Sequence, residues 1–157
     1  MDATGAMALG SETAMDLCCL DDEGRLYLSP SIEDWAPLAE HRISVVFDLE
    51  GDIDNCIPKT PNQVLYIYFP IFDEELPDLP KLHGLARLGA HLVESGETVL
   101  SHCGMGFNRS ALLAGLILVH RGMSGEEAVA HLRRRRPGAL FNQVFADYLR
   151  SLPPQAR

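Results

Sequence analysis

The passage from Thr98 to Gly122 constrains this chain more than any other. Val99-Leu100-Ser101 reads as a short strand, residues 103–108 include two glycines, and Ser110 to His120 is apolar almost all round. A helix that is apolar on every side belongs in the middle of a domain, and Gly122 ends it. Strand, glycine-containing loop and buried helix therefore follow one another without a linker.

The rest of the chain fits the same architecture. Short β-rich runs at Leu26–Leu28, Ser44–Leu49, Val64–Ile71 and Thr98–Ser101 alternate with helical patterns. That order predicts a single α/β domain with a central, mostly parallel sheet of four to five strands flanked by helices. Ser31, with Asp34 three residues on, predicts the start of a helix through Ala39. Leu82, Leu85, Ala86, Leu88, Leu92 and Val93 trace one apolar face of a crossover helix that stops at Gly96. Ser124 with Glu127 makes a capping box for a helix reaching Arg136, which Pro137-Gly138 terminates, and a last helix runs from about Phe141 to Leu149.

Composition narrows the class. At 157 residues, 46% hydrophobic and 22% charged, the chain suits one soluble globular domain. Its longest apolar run, residues 111–119, is nine residues long and interrupted by Gly115, too short to cross a bilayer. Residues 1–15 are small and aperiodic and are read as a disordered tail, leaving 16–157 as the domain. The N-terminus has no basic segment of a secretory signal, so the expected address is cytoplasmic, and for a domain of this size the expected state is a monomer.

The net charge of −9 is uneven: residues 1–78 sum to −14 and residues 79–157 to +5. The acidic half argues against wrapping on DNA, whereas the basic half could hold one small anionic group. Cys18, Cys19, Cys56 and Cys103 form neither a disulfide framework nor a zinc spacing. Cys18, Cys19 and Cys56 are read as buried small hydrophobes. No metal or other cofactor is expected.

Residues 103–110 then acquire a chemical reading. The backbone N–H groups of the loop and the positive end of the following helix form a place for an anion. Cys103 opens the loop, where the same amides and dipole favour its thiolate and make it a nucleophile at neutral pH. Arg109, six residues on, can hold two phosphate oxygens in a bidentate fork. Gly104 and Gly106 allow close backbone approach, and Ser110 can donate a hydrogen bond to the departing sulfur.

The nine positions His102-Cys103-x-x-Gly106-x-x-Arg109-Ser110 resemble the H-C-x-x-G-x-x-R-[ST] signature of the cysteine-dependent protein tyrosine phosphatases, and the small domain is similar to the dual-specificity branch. The resemblance runs from about Leu26 to Leu152 and includes Phe69-Pro70-Ile71-Phe72-Asp73 and Arg136-Pro137-Gly138-Ala139-Leu140-Phe141-Asn142. It implies a metal-free reaction through a phosphocysteine, with the phosphate held by residues 104–109, namely Gly104, Met105, Gly106, Phe107, Asn108 and Arg109. It implies a supporting role for His102 and a general acid on the loop Asp73–Asp78. Asp73, thirty residues before Cys103, is the choice over Glu74, Glu75 and Asp78.

The implied substrates are phosphotyrosine and phosphoserine/threonine of proteins, or small phosphomonoesters. The loop has no Lys and no Arg before Arg109, unlike lipid phosphatases of the superfamily. It partly resembles RNA 5′-triphosphatases but lacks their His at position 105. A phosphate-binding adaptor or redox sensor of the same fold, with Cys56 as a resolving thiol, is the reading from another class. His41, His83, His91, His120 and His131 are read as surface or satisfied helix residues, Trp35 as core, and Asn142 as a structural hydrogen-bonding group. The run Arg133–Arg136 is either a secondary anion patch or a complement to its helix dipole.

Overall fold

A computed structural model of the protein describes residues 15–155. Five strands form one sheet: β1 (Cys18–Cys19), β2 (Leu26–Ser29), β3 (Val45–Asp48), β4 (Leu65–Tyr68) and β5 (Val99–His102). Their spatial order is β1-β2-β5-β3-β4, and all neighbouring pairs are parallel except β1 with β2. The expected sheet is therefore present. The pair β1–β2 adds an antiparallel edge that two cysteines with no alternating pattern could not announce. The tail expected over residues 1–15 lies outside the described residues, apart from Met15.

β3 and β5 are buried at every position, as inner parallel strands covered on both faces must be. Alternation divides their side chains between two layers. Val45, Phe47 and Val99 face a large core with helices α2 (Leu79–Glu94), α3 (Arg109–His120), α4 (Gly125–Arg135) and α5 (Gln143–Arg150). Val46 and Leu100 face a smaller cluster with Ile32, Ile43 and Leu38 of α1 (Ala36–Glu40). Eleven of the twelve residues of α3 are buried, so the helix read as apolar all round is the one wrapped by the others.

The helix boundaries follow local chemistry, with one correction. The Ser124–Glu127 capping box is present in full, and Asn142 caps α5 by accepting from the Phe145 N–H. Ser31 does not start α1. Its hydroxyl donates to Glu50 Oε2 at 2.9 Å, and the helix begins after Trp35 with a proline in its first turn and Asp34 accepting from the Ala36 N–H. Proline near N1 supplies the helical φ that a cap would otherwise set. Trp35 is half-buried, packs on the smaller cluster and donates its indole N–H to Asn55 O at 2.8 Å.

The topology fixes where chemistry can occur. β5 lies between β2 and β3 with Ser29, His102 and Asp48 in register across the three strand ends. The loops that leave β2, β3, β4 and β5 therefore converge at one edge of the sheet, beyond the carboxyl ends of the strands.

Candidate active site

Cys103 is the first residue past β5 and is 2% exposed. Its Sγ lies 3.3 Å from Ser110 Oγ, to which the thiol donates, and accepts the Gly106 N–H at 3.3 Å. The loop bends back over the sulfur because Gly106 takes φ +74°. A Cβ there would stand 2.7 Å from Pro30 N and 2.8 Å from Ser29 C, so only glycine fits against the end of β2. A Cβ at Gly104 would stand 3.2 Å from Arg109 Nη2 and 3.3 Å from the Glu50 carboxylate, which places both groups beside the loop. Arg109 also donates from Nη1 to Ile71 O at 3.4 Å, tying the start of α3 to the loop after β4.

Asp73 stands in that loop and reaches Asn108, next to Arg109. Asn108 Nδ2 donates to Asp73 Oδ2 at 2.9 Å, and Asn142 Nδ2 donates to Asp73 Oδ1 at 2.9 Å. The expected nucleophile, arginine, hydroxyl and acid are thus brought to one edge of the fold. Asp78 instead caps α2, accepting the Lys81 N–H at 3.0 Å. That backbone bond is the main cause holding its carboxyl below the usual range.

His102 lies beneath the loop, fully buried, with Nε2 2.6 Å from Asp54 Oδ2 and 3.5 Å from Asp48 Oδ1. The Tyr66 hydroxyl hydrogen-bonds Asp48 and lies 2.9 Å from Asp54 Oδ2. Burial pushes the Asp48 carboxyl up, against the opposing pull of the Tyr66 hydroxyl, the Glu50 N–H and His102. Burial and the bond to Asp48 push the Tyr66 hydroxyl far above its ordinary value. Asp48, Asp54 and His102 bring potential metal-ligand atoms within 4.8 Å of one another, and hydrogen bonds among the three and Tyr66 already engage those atoms. The imidazole is thus fixed through Nε2 by Asp54 and Asp48, while its buried Nδ1 has no partner among the described residues. Asp54 and Tyr66 carried no sequence signal, since both lie far from the motif along the chain.

Three of the four arginines in the run Arg133–Arg136 are engaged by other groups, and Arg134 is exposed. Arg133 donates to the carbonyls of Ala139 and Leu140 at 3.2 and 2.9 Å, and Arg135 pairs with Asp22. Arg136 is 8% exposed, donates from Nε to Gly106 O at 3.1 Å and from Nη2 to Met105 O at 3.4 Å, pairs with Asp16, and lies 4.3 Å over the Phe107 ring. It buttresses the outside of the loop at Met105 and Gly106, a contact that only the structure reveals. The cysteines also depart from expectation: all four are free thiols, but Cys56 is exposed and Cys18 and Cys19 are half-buried.

Of the histidines, His83 and His120 face each other at 2.9 Å, with Tyr148 on the far side of His83 at 2.6 Å. His41 and His131 reach backbone carbonyls, so the satisfied-helix reading describes this group well. No helix among the described residues is long and apolar enough to cross a membrane.

A buried cysteine that opens a strand–loop–helix turn, with a loop amide and a hydroxyl on its sulfur and an arginine beside the loop, is the arrangement of the tyrosine and dual-specificity phosphatase class. The family described as "Dual specificity phosphatase, catalytic domain" matches residues 26–153, and the chain belongs to it. The chain is 29% identical to mouse protein phosphatase Slingshot homolog 3 over 116 residues, 73% of this chain and 17% of that protein. It is 36% identical to human protein tyrosine phosphatase type IVA 3 over 89 residues, 55% of this chain and 51% of that one. The chain thus spans well under two thirds of either relative. The crystal structure of Tk-PTP in its active form superposes with a TM-score of 0.69 at 26% identity, covering 89% of this chain and 97% of the other.

Proposed function

We propose that the protein hydrolyses phosphomonoesters through a phosphocysteine intermediate and acts on phosphotyrosine and phosphoserine/threonine of proteins. The observation that carries this reading is the position of Cys103 Sγ, buried in the loop and held by the Gly106 N–H and Ser110 hydroxyl. In the first step the sulfur attacks phosphorus as a thiolate, the bond to the leaving oxygen breaks, and the Asp73 carboxyl protonates that oxygen. In the second step water attacks the phosphocysteine, Asp73 takes a water proton, and the S–P bond breaks to free phosphate. The Ser110 hydroxyl, 3.3 Å away, stabilises the thiolate as it leaves. Arg109 and the loop amides hold the phosphoryl oxygens as charge develops on them.

The rim favours a protein substrate. Phe72, Met105 and Phe141 are 82%, 65% and 59% exposed around Asp73, the loop and Asn142. With Arg133, Arg135 and Arg136 committed to other contacts and only Arg134 of the run exposed, the apolar rim and the acidic pair Glu74–Glu75 favour a protein over a polyanion. Hydrolysis of an aryl phosphate in EDTA between about pH 5 and pH 8, with Cys103→Ser beside the wild type, tests the mechanism. Turnover that survives the chelator and disappears in the variant is expected. A phosphopeptide panel beside phosphoinositides and RNA 5′ ends tests the substrate class, and turnover of the latter two alone would refute it.

A further inference from the structure

Asn108 occupies the N-cap of α3, where an asparagine side chain ordinarily accepts a hydrogen bond from the first turn. It makes no such bond. Its buried amide is turned away from the helix and used at both ends: Nδ2 donates to Asp73 Oδ2 at 2.9 Å, and Oδ1 accepts the Asn142 N–H at 2.9 Å. Asn142 completes the ring, with Nδ2 donating to Asp73 Oδ1 at 2.9 Å and to Glu74 O at 3.3 Å while its Oδ1 caps α5. Three segments that are far apart in sequence thus meet on one carboxyl group. A helix that forgoes its own side-chain cap here gains the bond to Asp73 and the link to the Asn142 backbone in exchange.

Asp73 itself is exposed, on a loop with few buried side chains. An aspartate in such a place samples several rotamers, and proton transfer requires its oxygen within hydrogen-bond reach of the leaving group. Two amides, one on each oxygen, remove that freedom. Each oxygen keeps a second lone-pair site, so the carboxyl can still carry and deliver a proton.

We propose that Asn108 and Asn142 are positioning residues that clamp the Asp73 carboxyl over the catalytic loop for proton transfer. The proposal rests on the reading of Asp73 as the general acid, and its test separates the two. Asn142→Ser keeps an oxygen to cap α5 and removes the amide N–H that reaches Asp73, the shorter hydroxyl being taken up by the cap. The measurement is kcat/KM, which reports the first chemical step, across aryl phosphates of increasing leaving-group basicity. A 4-nitrophenolate departs readily as an anion, whereas a phenolate needs the proton.

For Asn142→Ser the expected loss is about tenfold or more on phenyl phosphate and much smaller on 4-nitrophenyl phosphate, since a displaced acid loses part of a contribution of about 10²–10⁴. KM is expected to stay close to wild type. Asp73→Ala, run alongside, is expected to show the same dependence more steeply. A loss in Asn142→Ser that is uniform across all esters, or no loss, while Asp73→Ala shows the steep dependence, overturns the clamp and leaves the acid intact. No leaving-group dependence in Asp73→Ala overturns the assignment of the acid and the clamp with it. Should Asn142→Ser fail to fold, Asn142→Asp keeps the cap oxygen and sets a second carboxylate against Asp73, with the same outcomes deciding.

Discussion

Removing the Arg136 side chain is expected to damage the catalytic loop from behind. Its Nε bond to Gly106 O, 3.1 Å long and nearly out of water, is charge-assisted and contributes about 1.5–2 kcal/mol. The Nη2 bond to Met105 O is 3.4 Å and adds about 0.5 kcal/mol. The guanidinium over Phe107 at 4.3 Å contributes about 1 kcal/mol in this partly dry setting. The Asp16 partner is 58% exposed, so that pair adds little after solvent screening. Arg136→Ala should therefore lose about 3 kcal/mol, which for a domain of this size lowers the unfolding midpoint by about 6–12 °C. Arg136→Lys keeps a charge near Asp16 but loses the fork, and should recover less than half of the loss. Thermal and urea unfolding of the three proteins, with kcat/KM on an aryl phosphate in parallel, measures this. A loss below about 1 kcal/mol in Arg136→Ala, or full rescue by lysine, would refute the assignment of the stabilisation to the loop carbonyls and the ring.

Gly106→Ala meets backbone atoms at 2.7 and 2.8 Å and takes a left-handed φ, so a loss above about 2 kcal/mol in urea unfolding and a sharp fall in kcat/KM are expected. Burial and the nearby Arg87 charge depress the His83 pKa, and burial, His83 and Arg87 depress that of His120. The unfolded chain then binds protons more readily than the folded one near the ordinary histidine pKa of about 6.5. Stability should be fully present above that pH and lost as pH falls through the lowered folded values. Urea unfolding between about pH 7.5 and pH 5.5 should show that slope, and it should flatten in His83→Gln; an unchanged slope would locate the proton uptake elsewhere.

What was legible in the sequence is what local rules decide. The run Val99–His120 announces its strand, loop and helix because the apolar pattern, the glycines and the helix start are contiguous. The Ser124–Glu127 box is read correctly for the same reason, since its two partners are three residues apart. Ser31 carries the same local signature, yet its hydroxyl is drawn to Glu50, nineteen residues on, because β2 and β3 end near one another. β1 escapes notice because two residues cannot display a period. Arg133–Arg136 looks like a basic patch on a helix end, and only the fold reveals Asp22, Asp16 and the loop carbonyls waiting for it.

The same distinction separates the chemistry of the site from its support. Cys103, Arg109 and Ser110 lie within eight positions, so one motif displays them all, whereas Asp73 is reached only through the family resemblance. The groups that hold them come from elsewhere: Asp54 and Tyr66 for His102, Arg136 for Gly106, Asn142 for Asp73. None stands out in its own neighbourhood, where a solvated acid, a strand tyrosine, a helix-end arginine and a cap asparagine are all ordinary. Asn108 differs, because it occupies a capping position and declines to cap. A residue that breaks its local rule in a well-packed domain must be satisfied by something distant, and that partner is where function should be sought first. Here the partner is Asp73, which ties an uncapped helix to the carboxyl that we propose as the general acid.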